Sequence, residues 1–114
     1  MSDSLTINVE SGMPTVEQAR QRMLDSLNHM DPSKAKIAVI IHGYGSTGHG
    51  GKLGPEMRKT LARLRNQGKV KFVIWGEKFS MFDATTQKAL EYLPALSRNP
   101  YFAQGNYGVT IVVF

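Results

Sequence analysis

The run Ile37-Ala38-Val39-Ile40-Ile41 is the feature that most limits how this chain can fold. It is continuously apolar and rich in β-branched residues, which favour extended backbone. A strand with one face in water alternates apolar and polar residues, so an unbroken apolar run indicates a strand covered on both faces. We therefore expect residues 37–41 to form a central strand of a sheet.

The segment before this run predicts a strand followed by a helix. Residues 5–9 alternate apolar and polar side chains, as a half-buried strand does. Thr15 and Gln18 have the spacing of a capping box at a helix start, and we expect Pro32 to end that helix. The apolar residues in between recur at helical spacing and predict one buried stripe, formed by Val16, Ala19, Met23, Leu24, Leu27 and Met30.

The segment after the run repeats this alternation. Residues 70–75 and 108–114 predict two further strands. A second helix, followed by Gly68 where a helix C-terminus favours glycine, is predicted by the stripe of Leu53, Met57, Leu61 and Leu64. A third helix, stopped by Pro94, is suggested by Ala84, Ala89, Leu90 and Leu93.

The resulting order, β-α-β-α-β-(α)-β, predicts an α/β fold. It takes the form of a two-layer α+β sandwich with a mixed four-stranded sheet, and we expect the two main helices to cover one face of the sheet or both. At 114 residues the chain is most simply one domain, residues 1–114. Within it, residues 77–104 are expected to form a helical insertion before the last strand.

Composition excludes several classes of protein. The chain has no cysteine, which excludes a disulfide framework and a thiolate metal site. Apolar residues make up 41% of the chain, too many for a disordered protein. The first residues do not resemble a signal peptide, and no apolar run is long enough to span a bilayer. We therefore expect a soluble cytoplasmic protein without a membrane partner.

A glycine-rich stretch, HGYGSTGHGGK at residues 42–52, joins the central strand to the second helix. Glycine lacks a Cβ and allows positive φ, so successive backbone N–H groups can point at one phosphate. The N-terminus of the following helix adds its own N–H groups and the positive end of its dipole. The stretch therefore predicts a phosphate ligand: a dinucleotide, a nucleoside triphosphate or the backbone of a nucleic acid.

Two of these ligands fit the stretch poorly. Gly43 to Gly48 spells the G-x-G-x-x-G of dinucleotide folds, which also need an acidic residue about 20 positions further on. Glu77, at the end of the next predicted strand, lies well beyond that spacing. A triphosphate loop needs Ser or Thr after its lysine to hold magnesium, but Leu53 follows Lys52. A nucleic-acid backbone is the remaining candidate.

The distribution of charge favours a polyanionic partner. The net charge is +5, and seven of the fourteen Lys and Arg residues lie between residues 52 and 71, where Glu56 is the only acid. Clustered positive charge beside a glycine loop is typical of nucleic-acid-binding proteins. The alternative is a solvated helix face that keeps the protein soluble.

Two segments resemble the small MutS-related (Smr) domain family. The family pattern of strand, His-Gly-x-Gly, glycine-rich loop and helix is matched by residues 40–53, and its terminal Gly-x-x-Gly-Val-Thr-Ile-Val strand by residues 105–112. Residues 15–19 also resemble the start of the family's first helix. The resemblance implies a fold similar to the C-terminal domain of translation initiation factor three. It also implies binding of DNA or RNA, which several members nick or cleave.

We expect the phosphate backbone of DNA or RNA to lie along the glycine loop and the basic side of the following helix. His42 can donate to a phosphate, although a structural role in tying the loop to the main chain is the alternative. Tyr44 offers a ring for stacking on an unpaired base. The predicted nucleic-acid-binding residues are His42, Gly43, Tyr44, Gly45, Gly48, His49, Gly50, Gly51, Lys52, Lys59 and Arg63.

Catalysis is predicted to be weak or absent. The first strand of the Smr family ends in Leu-Asp-x-His-Gly, whose acidic and histidine side chains are implied in catalysis. Here Glu10 takes the place of the Asp and Gly12 that of the His, or, with a gap, Asn8 takes the place of the Asp. The candidate catalytic residues are Glu10 and His42, with magnesium or manganese as cofactor only if the protein is a nuclease.

A function from another class stays open. The chain is then a catalytically inactive protein-interaction module on the same fold, with a protein partner and no cofactor. Salt dependence separates the two functions, because phosphate contacts make affinity fall steeply with ionic strength.

Overall fold

The computed structural model describes residues 4–43 and 50–114, with residues 50–52 described by their backbone alone. Four strands, β1 (Ser4–Asn8), β2 (Ile37–Ile41), β3 (Phe72–Trp75) and β4 (Val109–Val113), form one sheet in the order β1-β2-β4-β3. β1 is parallel to β2, and β4 is antiparallel to both β2 and β3. The predicted mixed four-stranded sheet is confirmed. β3 begins two residues later than predicted.

Two helices, α1 (Val16–Asn28) and α2 (Gly50–Asn66), pack on one face of the sheet. α1 begins with the predicted capping box, and α2 is followed by the predicted glycine. The Thr15 hydroxyl accepts from the Gln18 backbone N–H at 3.1 Å, and the Gln18 side chain accepts from the Thr15 N–H at 2.9 Å, which completes the capping box. Gly68, just past α2, has φ +76°, a conformation that favours glycine. No helix of the described residues is long and apolar enough to cross a membrane.

The core on this face joins the two helical stripes to the sheet. Ala19, Met23 and Leu27 of α1 meet Leu53, Met57 and Leu61 of α2 over the inward side chains of the strands. Because side chains alternate along a strand, β2 contributes Ala38 and Ile40 to this face.

The opposite face is covered by the segment between β3 and β4. It contains a 3₁₀ turn, Gly76–Lys78, the helix α3 (Ala84–Tyr92) and a second 3₁₀ turn, Pro94–Arg98. Its buried side chains, Phe79, Ala89 and Leu96, pack on the outward residues of β2 and β4. β2 is therefore enclosed on both faces, as its unbroken apolar run predicts.

Phe79 and Phe82 give a matched test of this second layer. Phe79 is 1% exposed and its ring packs edge-to-face on Phe102, with the centroids 5.2 Å apart, whereas Phe82 is 96% exposed. We expect Phe79→Ala to lower the free energy of unfolding by about 3–5 kcal/mol and Phe82→Ala to change it by less than about 0.5 kcal/mol. Urea unfolding followed by circular dichroism measures both. Equal effects would contradict the packing of this segment on the sheet.

Candidate functional site

A buried histidine lies where β2 ends beside β4. His42 directly follows β2 and is only 1% exposed. Its Nδ1 lies 3.1 Å from the Gly43 carbonyl oxygen, and its Nε2 lies 2.9 Å from the hydroxyl oxygen of Thr110 on β4. A carbonyl oxygen only accepts hydrogen bonds, so Nδ1 carries the proton in the neutral ring. Nε2 is then the acceptor for the Thr110 hydroxyl.

One arginine on α2 completes this network. The Arg58 Nε–H donates to the Thr110 hydroxyl oxygen at 2.9 Å, which leaves the hydroxyl proton for His42. Its two terminal nitrogens donate to the two carboxylate oxygens of Glu77, at 2.9 and 2.7 Å, and one of them also donates to the Val109 carbonyl at 3.0 Å. The bonds therefore run in one direction, from Arg58 through Thr110 and His42 to the Gly43 carbonyl.

The protonation states of the network follow from its surroundings. Burial lowers the pKa of the His42 imidazole, because the charged form loses hydration, and the Arg58 charge adds to this effect. The hydrogen bond to the Gly43 carbonyl and the charge of Glu77 oppose the shift without reversing it. Burial raises the pKa of the Glu77 carboxyl, but the hydrogen bonds and charge of Arg58 outweigh it, so that this pKa is lowered. At neutral pH the network holds a neutral histidine and a charged Arg–Glu pair.

Gly43 brings the predicted catalytic pair to one place. Its φ is +77°, which requires glycine, and the Glu10 carboxylate lies against its Cα. The backbone N–H groups of His42 and Gly43 both donate to the Gly108 carbonyl at 3.0 Å, which anchors this turn to the residue before β4. Glu10, after β1, and His42, after β2, therefore both adjoin Gly43.

A cavity of about 640 Å³ opens next to this network, along the side of α2 that faces β3. We call it the α2–β3 groove. His42 and Gly43 lie at one end with the exposed Tyr107, and Val73 and Trp75 of β3 form its other wall. From α2 it is lined by Gly54, Pro55, Arg58, Lys59, Ala62 and Arg65.

Cationic side chains lie against the Trp75 ring in the wall of the α2–β3 groove. Trp75 is 43% exposed, and the Arg58 guanidinium carbon lies 4.8 Å from its ring centroid. The Lys78 ammonium lies 5.1 Å from the same centroid. Both separations are within the range of cation–π attraction, which orients a ring and holds charge beside it.

The structure separates the predicted binding residues into groups. Tyr44, Gly45, Gly48 and His49 lie outside the described residues. Gly50, Gly51 and Lys52 begin α2, where only their backbone is described. His42, Gly43 and Lys59 line the α2–β3 groove, but Arg63 does not. Arg63 follows Glu56 and Thr60 at helical spacing, and those two residues bond Arg20 of α1, so Arg63 lies on the side of α2 that faces α1.

Sequence reasoning missed several residues of the groove and of the hydrogen-bond network beside it. Arg58 and Arg65 were counted only as part of the basic segment, although their spacing of seven residues places them on one face of a helix. Thr110 carried a signal, because it is the one hydroxyl inside an otherwise apolar strand. Trp75 and Tyr107 showed none, because a single aromatic residue at a strand end is common in any sheet.

No group of three or more His, Cys, Asp or Glu side chains in residues 4–43 and 50–114 is placed to hold a metal ion. Magnesium or manganese therefore stays a prediction tied to nuclease activity.

Comparison of the chain with protein-family models, curated proteins and solved structures gives no match. The likeness to the Smr family stays a resemblance in sequence, carried by residues 40–53 and 105–112.

The lowered pKa of His42 predicts a stability that depends on pH. A group whose pKa is lower in the folded state than in the unfolded state stabilises the fold above its unfolded pKa, about 6.5 for histidine, and this stabilisation is lost as the pH falls. We expect the free energy of unfolding to drop more between about pH 7.5 and about pH 5 for the wild type than for His42→Asn.

Urea unfolding at a series of pH values measures this difference, and the other two histidines of the chain are present in both proteins. NMR titration of the ring should also show the Nδ1-protonated tautomer. Parallel pH profiles for the two proteins would contradict the burial of a neutral His42.

Proposed function

We propose that the protein binds nucleic acid, with the phosphate backbone held in the α2–β3 groove and along the glycine loop that leads into α2. The observation that carries this proposal is the pair of exposed cations, Lys59 and Arg65, that border the groove beside the exposed rings of Trp75 and Tyr107. Cations that track a backbone, interleaved with aromatic rings, are the usual makeup of a surface that binds nucleic acid without reading its sequence.

The cationic side chains of the groove differ in how strongly they are already bound within the protein. Arg58 is saturated by Glu77 and by the strand, so it shapes the groove instead of binding phosphate. Lys59 contacts Glu56 at 3.1 Å, but its side chain is largely exposed. Exposed pairs of this kind contribute about 0–1 kcal/mol, so a phosphate can replace the carboxylate.

Arg65 is the principal candidate for a phosphate contact. No carboxylate of the described part of the chain forms an ion pair with it. It borders both the α2–β3 groove and a smaller cavity of about 190 Å³ that Trp75 also lines. Without an ion-pair partner among the described residues, this guanidinium can donate to a phosphate directly.

We propose binding without efficient cleavage. General acid–base catalysis needs a side chain free to exchange a proton at the reacting atom. Both ring nitrogens of His42 are hydrogen-bonded within the protein, so its imidazole is not free for that exchange. This arrangement supports a positioning role for His42 at the groove. Nicking of supercoiled plasmid with magnesium or manganese that Glu10→Gln and His42→Ala both abolish would overturn this part of the proposal.

Arg65 and Arg63 give a matched pair for testing the surface. They lie two positions apart on α2, and replacing either by Gln removes one positive charge, but only Arg65 borders the groove. We expect Arg65→Gln to weaken binding and to reduce the slope of log K against log salt by about 1, while Arg63→Gln leaves the slope unchanged. Fluorescence anisotropy of labelled oligonucleotides across a series of salt concentrations measures both.

Equal losses for the two variants would show that net charge, and not the groove, attracts the ligand. No binding by the wild type at low salt would favour the alternative of a protein-interaction module.

A further inference from the structure

We infer that the α2–β3 groove takes an unpaired base stacked on the indole of Trp75, so that the nucleic acid it binds is single-stranded at that point. The inference rests on the proposed function, because it names the form of nucleic acid that the same groove binds.

Trp75 is placed as a platform and not as a core residue. It is the last residue of β3, which is an edge strand of the sheet. Val73 points to the same face and is buried under α2, whereas Trp75, one pleat further on, is 43% exposed. Trp75 belongs to neither of the two apolar clusters that make up the core of the described residues.

Open space adjoins the Trp75 side chain in two cavities. Trp75 lines both the α2–β3 groove, about 640 Å³, and the smaller cavity of about 190 Å³. The larger volume is within the usual range of about 300–1,000 Å³ for pockets that hold small organic molecules. A nucleobase in the groove can therefore lie beside the ring without displacing the core.

Positive side chains lie next to the Trp75 ring, and a nucleotide carries a negative phosphate next to its base. Arg58 and the exposed Lys78 lie over the indole ring, 4.8 and 5.1 Å from its centroid, so a stacked base takes the place of the Lys78 ammonium while Arg58 keeps its bonds to Glu77. Arg65 borders both cavities, so a phosphate adjoining the stacked base has a cation within the same surface. A stacked base with its phosphate on a nearby cation is the arrangement by which proteins bind single strands.

A base of a duplex can stack on Trp75 only after it has left the double helix, which costs free energy. In a double helix each base is stacked between its neighbours, and extruding one costs a few kcal/mol. An unpaired base reaches an aromatic ring without that cost. The platform therefore discriminates in favour of single strands, while the cations attract both forms.

Tyr92 provides a matched control. It is 40% exposed and has the Lys71 ammonium 4.2 Å from its ring centroid, so it has nearly the same exposure and the same kind of cation contact as Trp75. It lies on α3, which covers the opposite face of the sheet from α2.

The first measurement uses the fact that Trp75 is the only tryptophan of the chain. Its fluorescence is followed while the wild type is titrated with single-stranded oligothymidylate of about 12 nucleotides, with a duplex of the same length, and with inorganic polyphosphate, which has charge but no bases. We expect the single strand alone to quench the emission. Polyphosphate is expected to displace labelled single strand without quenching.

The second measurement is the affinity of variants for labelled single strand and duplex. We expect Trp75→Leu to weaken binding of the single strand about 5- to 150-fold, the loss of one stacked base, and to leave duplex binding unchanged. Trp75→Phe, which keeps a smaller ring, should fall in between, and Tyr92→Leu should bind both as the wild type does. Circular dichroism checks that each variant is folded.

The outcomes separate this inference from the proposed function. Salt-dependent binding that Trp75→Leu does not weaken, or quenching by polyphosphate equal to that by the single strand, overturns the stacking inference and leaves the proposed function standing. Absence of binding by the wild type at low salt overturns both.

Discussion

The site depends on the side chain of Arg58. Its guanidinium joins four parts of the fold: it extends from α2, lies over the Trp75 ring of β3, pairs with Glu77 in the turn after β3 and donates to the Val109 carbonyl of β4. Its pair with Glu77 is largely buried, and removing one partner of such a pair costs more than the pair contributes, because the other charge is left poorly hydrated. The planar fork of arginine is also what allows all these bonds at once, which a lysine could not make.

The shape of the α2–β3 groove follows from this arrangement. Arg58 is held against the strands, whereas Lys59, the next residue on α2, and Arg65, two turns further on, are exposed and border the groove. A chain of hydrogen bonds runs from Arg58 through Thr110 and His42 to the Gly43 carbonyl. The same bonds therefore hold α2, β4 and the residues that follow β2. The charged Arg58–Glu77 pair and the neutral His42 are thus held by the same contacts that position α2.

Local signals predicted the fold well, because they act over a few residues. The apolar run of β2, the Thr15 capping box and the glycine after α2 each depend on neighbours in sequence, and all three are found. The site was harder to predict. Arg58 and Glu77 are separated by 19 residues, and their pairing depends on where α2 crosses β3. Whether Arg63 or Arg65 borders the groove depends on which side of α2 packs on α1, and the helical period alone does not decide that.

The order of the strands also has a consequence for how the chain assembles. β2 and β3 do not touch, since β4 lies between them and pairs with both, although it follows them in the chain. During synthesis an apolar strand edge stays without its neighbour until residues 109–113 have left the ribosome. Exposed apolar edges are where incomplete chains associate with one another. The β2 edge of the sheet therefore stays open until β4 is available, after the described helices have been synthesised.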